Sequence, residues 1–159
     1  ILANAGARVF VGSRTLGRSQ ETIAQLVRAH VLADRLMLLE SDDSEALENA
    51  LGQSGGVIAC GAAGVKLLSA VHLIRTPSIR VAIDLNAVPP AGIEGIRVTD
   101  KAVQRGERVD YGALAVGGLK MKIHKASIRE LFESNHKFLD CDEMLTIGKD
   151  ILAQSHFAS

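Results

Sequence analysis

The chain has 159 residues, 47% hydrophobic and 23% charged, within the range of a single globular domain able to bury a core. Eighteen Lys and Arg balance eighteen Asp and Glu, so no overall positive field draws in nucleic acid or an anionic membrane, and neither is expected as a partner. Aromatic residues make up only 3%, with no Trp, so the core must be aliphatic and rich in Ala and Gly, which suits helices packed closely on a parallel sheet.

The N-terminal Ile-Leu-Ala-Asn-Ala-Gly leads into Arg8-Val-Phe-Val-Gly12, a short apolar run that predicts a buried strand. Ser13 to Thr15 introduce a helix whose Ile23, Leu26, Val27 and Ala29 recur at helical spacing. Arg35 to Glu40 is a second apolar run, and Asp42 with Glu45 has capping-box spacing ahead of the next helix. Gly56-Val-Ile-Ala-Cys60 predicts a third strand, broken by Gly61-Ala-Ala-Gly64. A helix is expected over Val65 to Ile74, stopping before Pro77.

Arg80 to Leu85 is the fourth strand candidate and ends at Asn86 and Pro89-Pro90. Gly95 to Val109 reads as irregular and polar, Gly117 to Phe132 as a helix, and Asp140 with Glu143 as the cap of a last helix. Strands alternating with helices imply βαβ units on a parallel sheet. The expected fold is α/β, a Rossmann-like doubly wound parallel sheet forming one dinucleotide-binding domain over residues 1–159. It is expected to lack its first strand and glycine-rich loop, because the chain starts inside what should be the first helix.

Such a sheet binds ligands at the carboxyl ends of its strands. The residue ending the second strand of a dinucleotide fold selects the cofactor: an acid holds the ribose hydroxyls of NAD, whereas an Arg accommodates the 2′-phosphate of NADP. Here Ser13-Arg14-Thr15 supplies no acid but a guanidinium flanked by two hydroxyls, which points to NADP. The other reading is a solvated Arg beside a helix cap. Cys60, Gly61, Ala62, Ala63 and Gly64 have side chains small enough to lie along a ribose and nicotinamide, or form a turn that simply needs glycine. Asp84 and Asn86 are expected to hold the turn after the fourth strand, with Asn86 also a candidate cofactor contact.

Gly117 and Gly118 are expected to open their helix, either admitting a nicotinamide ring or permitting a tight approach to the sheet. Lys120 and His124, four residues apart, share one helical face among Leu119, Met121, Ile123 and Ile128. Single helical Lys and His residues are usually solvated or satisfied groups, but this setting makes the pair the sharpest candidate for chemistry. Cys60 and Cys141 lack metal-ligand spacing, which predicts no metal and a reduced, cytoplasmic setting. No HExxH, CxxC or nucleophile-elbow pattern supports a hydrolase. No apolar run approaches the roughly 18 residues needed to cross a bilayer.

Asp84-Leu-Asn-Ala-Val-Pro-Pro-Ala-Gly-Ile-Glu-Gly-Ile96, Gly112-Ala-Leu-Ala-Val-Gly-Gly-Leu-Lys-Met-Lys-Ile-His124 and Leu131-Phe-Glu-Ser134 closely resemble the bacterial NADP-dependent methylene-tetrahydromethanopterin dehydrogenases. The resemblance runs over nearly the whole chain, more weakly before Gly56. It implies an NADP domain that is preceded in the family by a pterin-binding domain, with a reduced pterin one-carbon carrier as substrate and a homo-oligomer as the full-length form. The implied reaction transfers a hydride from the one-carbon bridge of methylene-tetrahydromethanopterin to NADP+ in formaldehyde oxidation. Positive charge leaves the nicotinamide as it appears on the pterin, so no side chain needs to move a proton. The family's Lys and His map onto Lys120 and His124, implying a donor that positions the rings and a flat wall. Two alternatives remain: another NADP-dependent oxidoreductase of similar build, of folate-type methylene dehydrogenase or shikimate-dehydrogenase-like character, and a truncated, non-catalytic dinucleotide-binding module.

Overall fold

The computed structural model describes residues 1–29, 31–134 and 136–156. The chain divides into two compact units, Ile1–Ala113 and Leu114–Ser159, considered separately below.

The first unit begins with a helical turn. Ala5 N–H donates to the Ile1 carbonyl, Gly6 N–H to Ala3, and Ala7 N–H to Leu2, with Gly6 at φ 96°. This is the pattern of a helical turn closed by a left-handed glycine. β1 (Val9–Ser13) and β2 (Leu36–Glu40) follow as a parallel pair, separated by α1 (Leu16–Arg28) and a short 3-10 turn at Ala33–Arg35. Ser19, fully buried on α1, donates its hydroxyl to the Leu39 carbonyl at 2.8 Å and pins that helix onto β2.

α2 (Ser44–Gly52) leads to β3 (Gly56–Ala59), and α3 (Ala70–Arg75) to β4 (Val81–Asp84). β5 (Val103–Arg105) and β6 (Arg108–Tyr111) close the second sheet, ordered β3-β4-β6-β5, with β3, β4 and β6 parallel and β5 antiparallel to β6. Leu47 and Leu51 of α2, Leu73 of α3, Ala59, Ala82, Ile79, Ile93 and Ile96 form one buried cluster, with Leu39 of β2 packed against it. These parallel strands and helices form the expected Rossmann-like α/β architecture.

No ladder joins the two sheets among the described residues. One further parallel strand between β1 and β3 would complete the doubly wound order.

Four expectations are corrected. Val65 to Ser69 are not helical: Leu67 and Leu68 N–H both donate to the Gly92 carbonyl, at 2.8 and 3.0 Å, and Leu68 bridges Ile93 as a strand would, so the helix starts only at Ala70. The Gly95–Val109 stretch, read as irregular, contains β5 and the start of β6. Its polar pattern concealed a charge cluster inside the fold. Asp110, fully buried, accepts from Arg105 at 2.8 Å and from Arg108 at 2.6 Å, and Arg105 also reaches Asp100 at 2.7 Å.

The cap of α2 is Asp43, not Asp42, because Asp43 Oδ1 accepts from the Glu45 and Ala46 N–H groups at 3.0 Å. Finally, α4 (Ala113–Glu133) starts four residues before Gly117, so the Gly117–Gly118 pair lies within the helix rather than opening it. The second unit comprises all of α4 beyond Ala113, together with α5 (Cys141–His156). Asp140 caps α5 as expected: its N–H donates to Glu143 at 3.0 Å while its carboxylate accepts from Asp142 N–H at 2.7 Å. Gly148 of α5 lies against Ile123 of α4, so a Cβ there would come within 3.0 Å of the Ile123 side chain.

Candidate functional site

In the first unit, the carboxyl ends of the parallel strands carry the loops expected to form a site. At the end of β1, Arg14 and Thr15 are exposed and Ser13 half-buried. Arg14 has no ion pair or hydrogen bond among the described residues. Thr15 is the cap residue of α1, yet its side chain makes no capping bond, and the first turn of that helix carries no acid. Its backbone N–H groups and the Arg14 guanidinium are thus donors without an internal acceptor. The Ser13 carbonyl accepts from Ser41 N–H at 2.7 Å, tying the ends of β1 and β2 together.

The β3 and β4 loops are more tightly built. Asp84, 2% exposed at the end of β4, accepts from Asn86 N–H through Oδ1 and from Ile93 N–H through Oδ2, both at 2.9 Å. This carboxylate closes the 86–93 loop on itself. Asn86, also buried, then sends its side-chain amide to the Ala62 carbonyl at 3.2 Å, joining the β4 loop to the β3 loop. Cys60, Gly61, Ala62 and Ala63 remain exposed.

Glycine is required at two positions here. Gly64 has φ 72°, a left-handed conformation. A Cβ at Gly92 would lie 2.9 Å from Asp84 Oδ1 and 3.2 Å from the Ala59 Cβ. A concavity of about 630 Å³ runs between α1 and β2 along Ile23, Val27, Leu36 and Leu38, and none of these loops lines it.

In the second unit, Lys120 and His124 are both exposed and share one face of α4. Leu119 and Ile123 are half-buried beside them and Ser127 is fully covered, while Met121 and Ile128 face outward at 53% and 41% exposure. The apolar surround read from the sequence is therefore only partly a packed one. Gly117 and Gly118 have open space where a Cβ would stand.

No family model matches the chain. Among curated proteins, it is 34% identical over 149 residues to the "Bifunctional protein MdtA" of Methylorubrum extorquens, covering 92% of this chain and 50% of that protein. It is also 40% identical over 92 residues to the "NAD(P)-dependent methylenetetrahydromethanopterin dehydrogenase" of the same organism, covering 57% of this chain and 31% of that protein. Over part of its length the chain is thus similar to a protein named as a methylenetetrahydromethanopterin dehydrogenase. It spans about half the length of the first relative and less of the second.

The structure brings Ala62 and Asn86 into direct contact and places Cys60, Gly61, Ala63 and Gly64 on the same loop as Ala62. Ser13, Arg14 and Thr15 stand together at the end of β1, and Lys120, His124 and Gly117 on α4 of the other unit. Two residues of the β4 loop carry more than sequence reasoning assigned them. Gly92 was one glycine among fifteen, and Asp84 one acid in a turn. The available signal was their spacing of eight residues within the loop that carries the family resemblance. Glu40 was also without a role: strand register sets it opposite Ser13, one residue from Arg14.

Among the described residues no helix is long and apolar enough to cross a membrane, and no three His, Cys, Asp or Glu are grouped to hold a metal ion.

Proposed function

We propose that this chain is the NADP-binding part of a methylene-tetrahydromethanopterin dehydrogenase, an oxidoreductase of one-carbon metabolism acting on a reduced pterin carrier. The observation that carries the cofactor reading is the exposed Arg14 at the end of β1, without a partner among the described residues, beside a helix whose first turn holds no acid. A fixed fork of donors, two hydroxyls and free backbone N–H groups suit a phosphate monoester, so the donor set fits NADP better than NAD. The name of one relative, NAD(P)-dependent, supports a nicotinamide cofactor without choosing between the two.

In this reading Ser13, Arg14 and Thr15 hold the 2′-phosphate. The Cys60–Gly64 loop, braced by Asn86, brings backbone close to the ribose and nicotinamide. When bound, NADP+ supplies the hydride acceptor. On α4, Lys120 and His124 take the roles the family resemblance implies: Lys120 donates a hydrogen bond that positions the rings, and His124 packs as a flat wall, with Gly117 of the same helix a cofactor contact. None of them has to move a proton, because hydride transfer to a cationic ring from a carbon that becomes cationic leaves the summed charge unchanged. Their work is alignment and exclusion of water.

The test is calorimetric titration with NADP+ and NAD+, for the parent chain and Arg14→Asp. The parent should prefer NADP+, and the variant should lose roughly 2–3 kcal/mol of NADP+ binding, as expected for a charge-assisted contact turned repulsive. Equal affinity of the parent for both cofactors refutes the assignment of Arg14.

A further inference from the structure

Asp84 is a buried carboxylate with no cationic partner in the described structure; both of its oxygens are occupied by backbone N–H groups, of Asn86 and Ile93. A buried charge held only by amides is a costly way to close a turn. The arrangement places it at the root of two cross-links. Through Asn86 it fixes the amide that bonds the Ala62 carbonyl. Through Ile93 it holds the strap whose preceding residue, Gly92, accepts from Leu67 and Leu68. The loops after β3 and β4 are thereby bonded at both ends, at Ala62 and at Leu67–Leu68. Gly92 leaves no room for the carboxylate to move towards the strap, since even a Cβ there would press on Oδ1.

We propose that Asp84 is a positioning residue for the dinucleotide: it locks the 60–68 and 86–93 loops into one rigid wall against which the nicotinamide half is held. This rests on the cofactor reading above, and it makes Asp84 matter to one half of the ligand only. The 2′-phosphate half is met at Ser13–Thr15, which shares none of these hydrogen bonds.

The test variant is Asp84→Asn, which keeps the volume but turns one acceptor into an NH2 group facing an N–H donor. The parent and variant chains are compared by amide hydrogen exchange, and by titration with NADP+ and with 2′,5′-ADP, which lacks the nicotinamide half. Exchange should quicken about tenfold at Asn86 or Ile93 and also at Leu67 and Leu68, since one hydrogen bond is worth about that factor. Binding of 2′,5′-ADP should stay within about twofold, while NADP+ loses about tenfold.

Unchanged exchange in both loops overturns the coupling whatever the ligand does. Equal weakening of both ligands overturns the positioning role in favour of a general structural one, as does a parent that binds NADP+ no more tightly than 2′,5′-ADP. A parent that binds neither ligand overturns the dinucleotide reading itself, and the exchange data then still decide whether Asp84 couples the loops. Should Asp84→Asn not fold, Asn86→Ala cuts the bond to Ala62 and a 3.4 Å bond from Val88 N–H within the loop, and leaves both backbone bonds to Asp84 in place. Val65, whose N–H also donates to the Ala62 carbonyl, should then exchange faster while Ile93 stays protected. No change at Val65 overturns the proposal.

Discussion

Replacing Gly92 by Ala should damage the candidate site and the fold together, and its cost can be worked from the local packing. The added methyl would sit 2.9 Å from Asp84 Oδ1 and 3.2 Å from the Ala59 Cβ. Neither neighbour can swing away. Ala59 is strand backbone with a single methyl, and Asp84 is short and held by two 2.9 Å hydrogen bonds. Overpacking of this kind costs about 1–3 kcal/mol, and loosening one bond to a buried carboxylate adds about 1 kcal/mol or more. A total of about 2–4 kcal/mol lowers Tm by roughly 4–16 °C in a domain of this size.

Gly117→Ala provides the contrast. Its Cβ would meet nothing, and it lies inside α4, where Ala is favoured over Gly by about 1 kcal/mol. Thermal melts followed by circular dichroism should move in opposite directions for the two variants. If Gly92→Ala melts with the parent, the packing argument at Asp84 is wrong. If Gly117→Ala melts lower, that glycine is required by something other than helix geometry.

Burial works to raise the carboxyl of Asp100, but the Arg97 backbone N–H and the Arg105 guanidinium outweigh it and hold the group below its ordinary value. The unfolded chain therefore takes up this proton first. The stabilisation is fully present above the unfolded carboxylate value of about 3.9 and is lost as pH falls through the lower folded value. Asp100→Asn should flatten this part of the acid-unfolding curve, and an unaltered curve would show that the carboxylate carries no such linkage. For Lys120 and His124, alanine variants in an enzyme form carrying a pterin-binding domain should slow single-turnover hydride transfer roughly ten- to a thousandfold, through misalignment. Neither should add or remove a limb of the pH–rate profile; a limb lost in one variant would mean that residue transfers a proton. β1 and β3 each end a sheet with one edge that has no strand partner among the described residues, and Ile58 of β3 is 47% exposed. The chain should therefore associate through these edges, so a monomer by light scattering that melts sharply would refute this.

The sequence by itself determined the four apolar parallel strands. The runs at Val9–Ser13, Leu36–Glu40, Gly56–Ala59 and Val81–Asp84 are nearly continuous apolar stretches, the composition of strands in a parallel sheet, although Leu38, Ile58 and Val81 stay exposed here. It also determined the loops that follow them, because backbone conformation at Gly64 and small size at Ala62 are properties of single residues. Tertiary structure alone decided the rest. β6 is a strand despite Arg108 and Asp110 because those charges neutralise each other inside the fold, a pairing that no local pattern contains. Leu67 and Leu68 are extended rather than helical because their N–H groups find the Gly92 carbonyl, 25 and 24 residues further on. Asp84 acquires its importance in the same way: its spacing from Asn86 marks a turn, but its bond to Ile93, and the bond from Asn86 to Ala62 on another loop, exist only once β3 and β4 lie side by side.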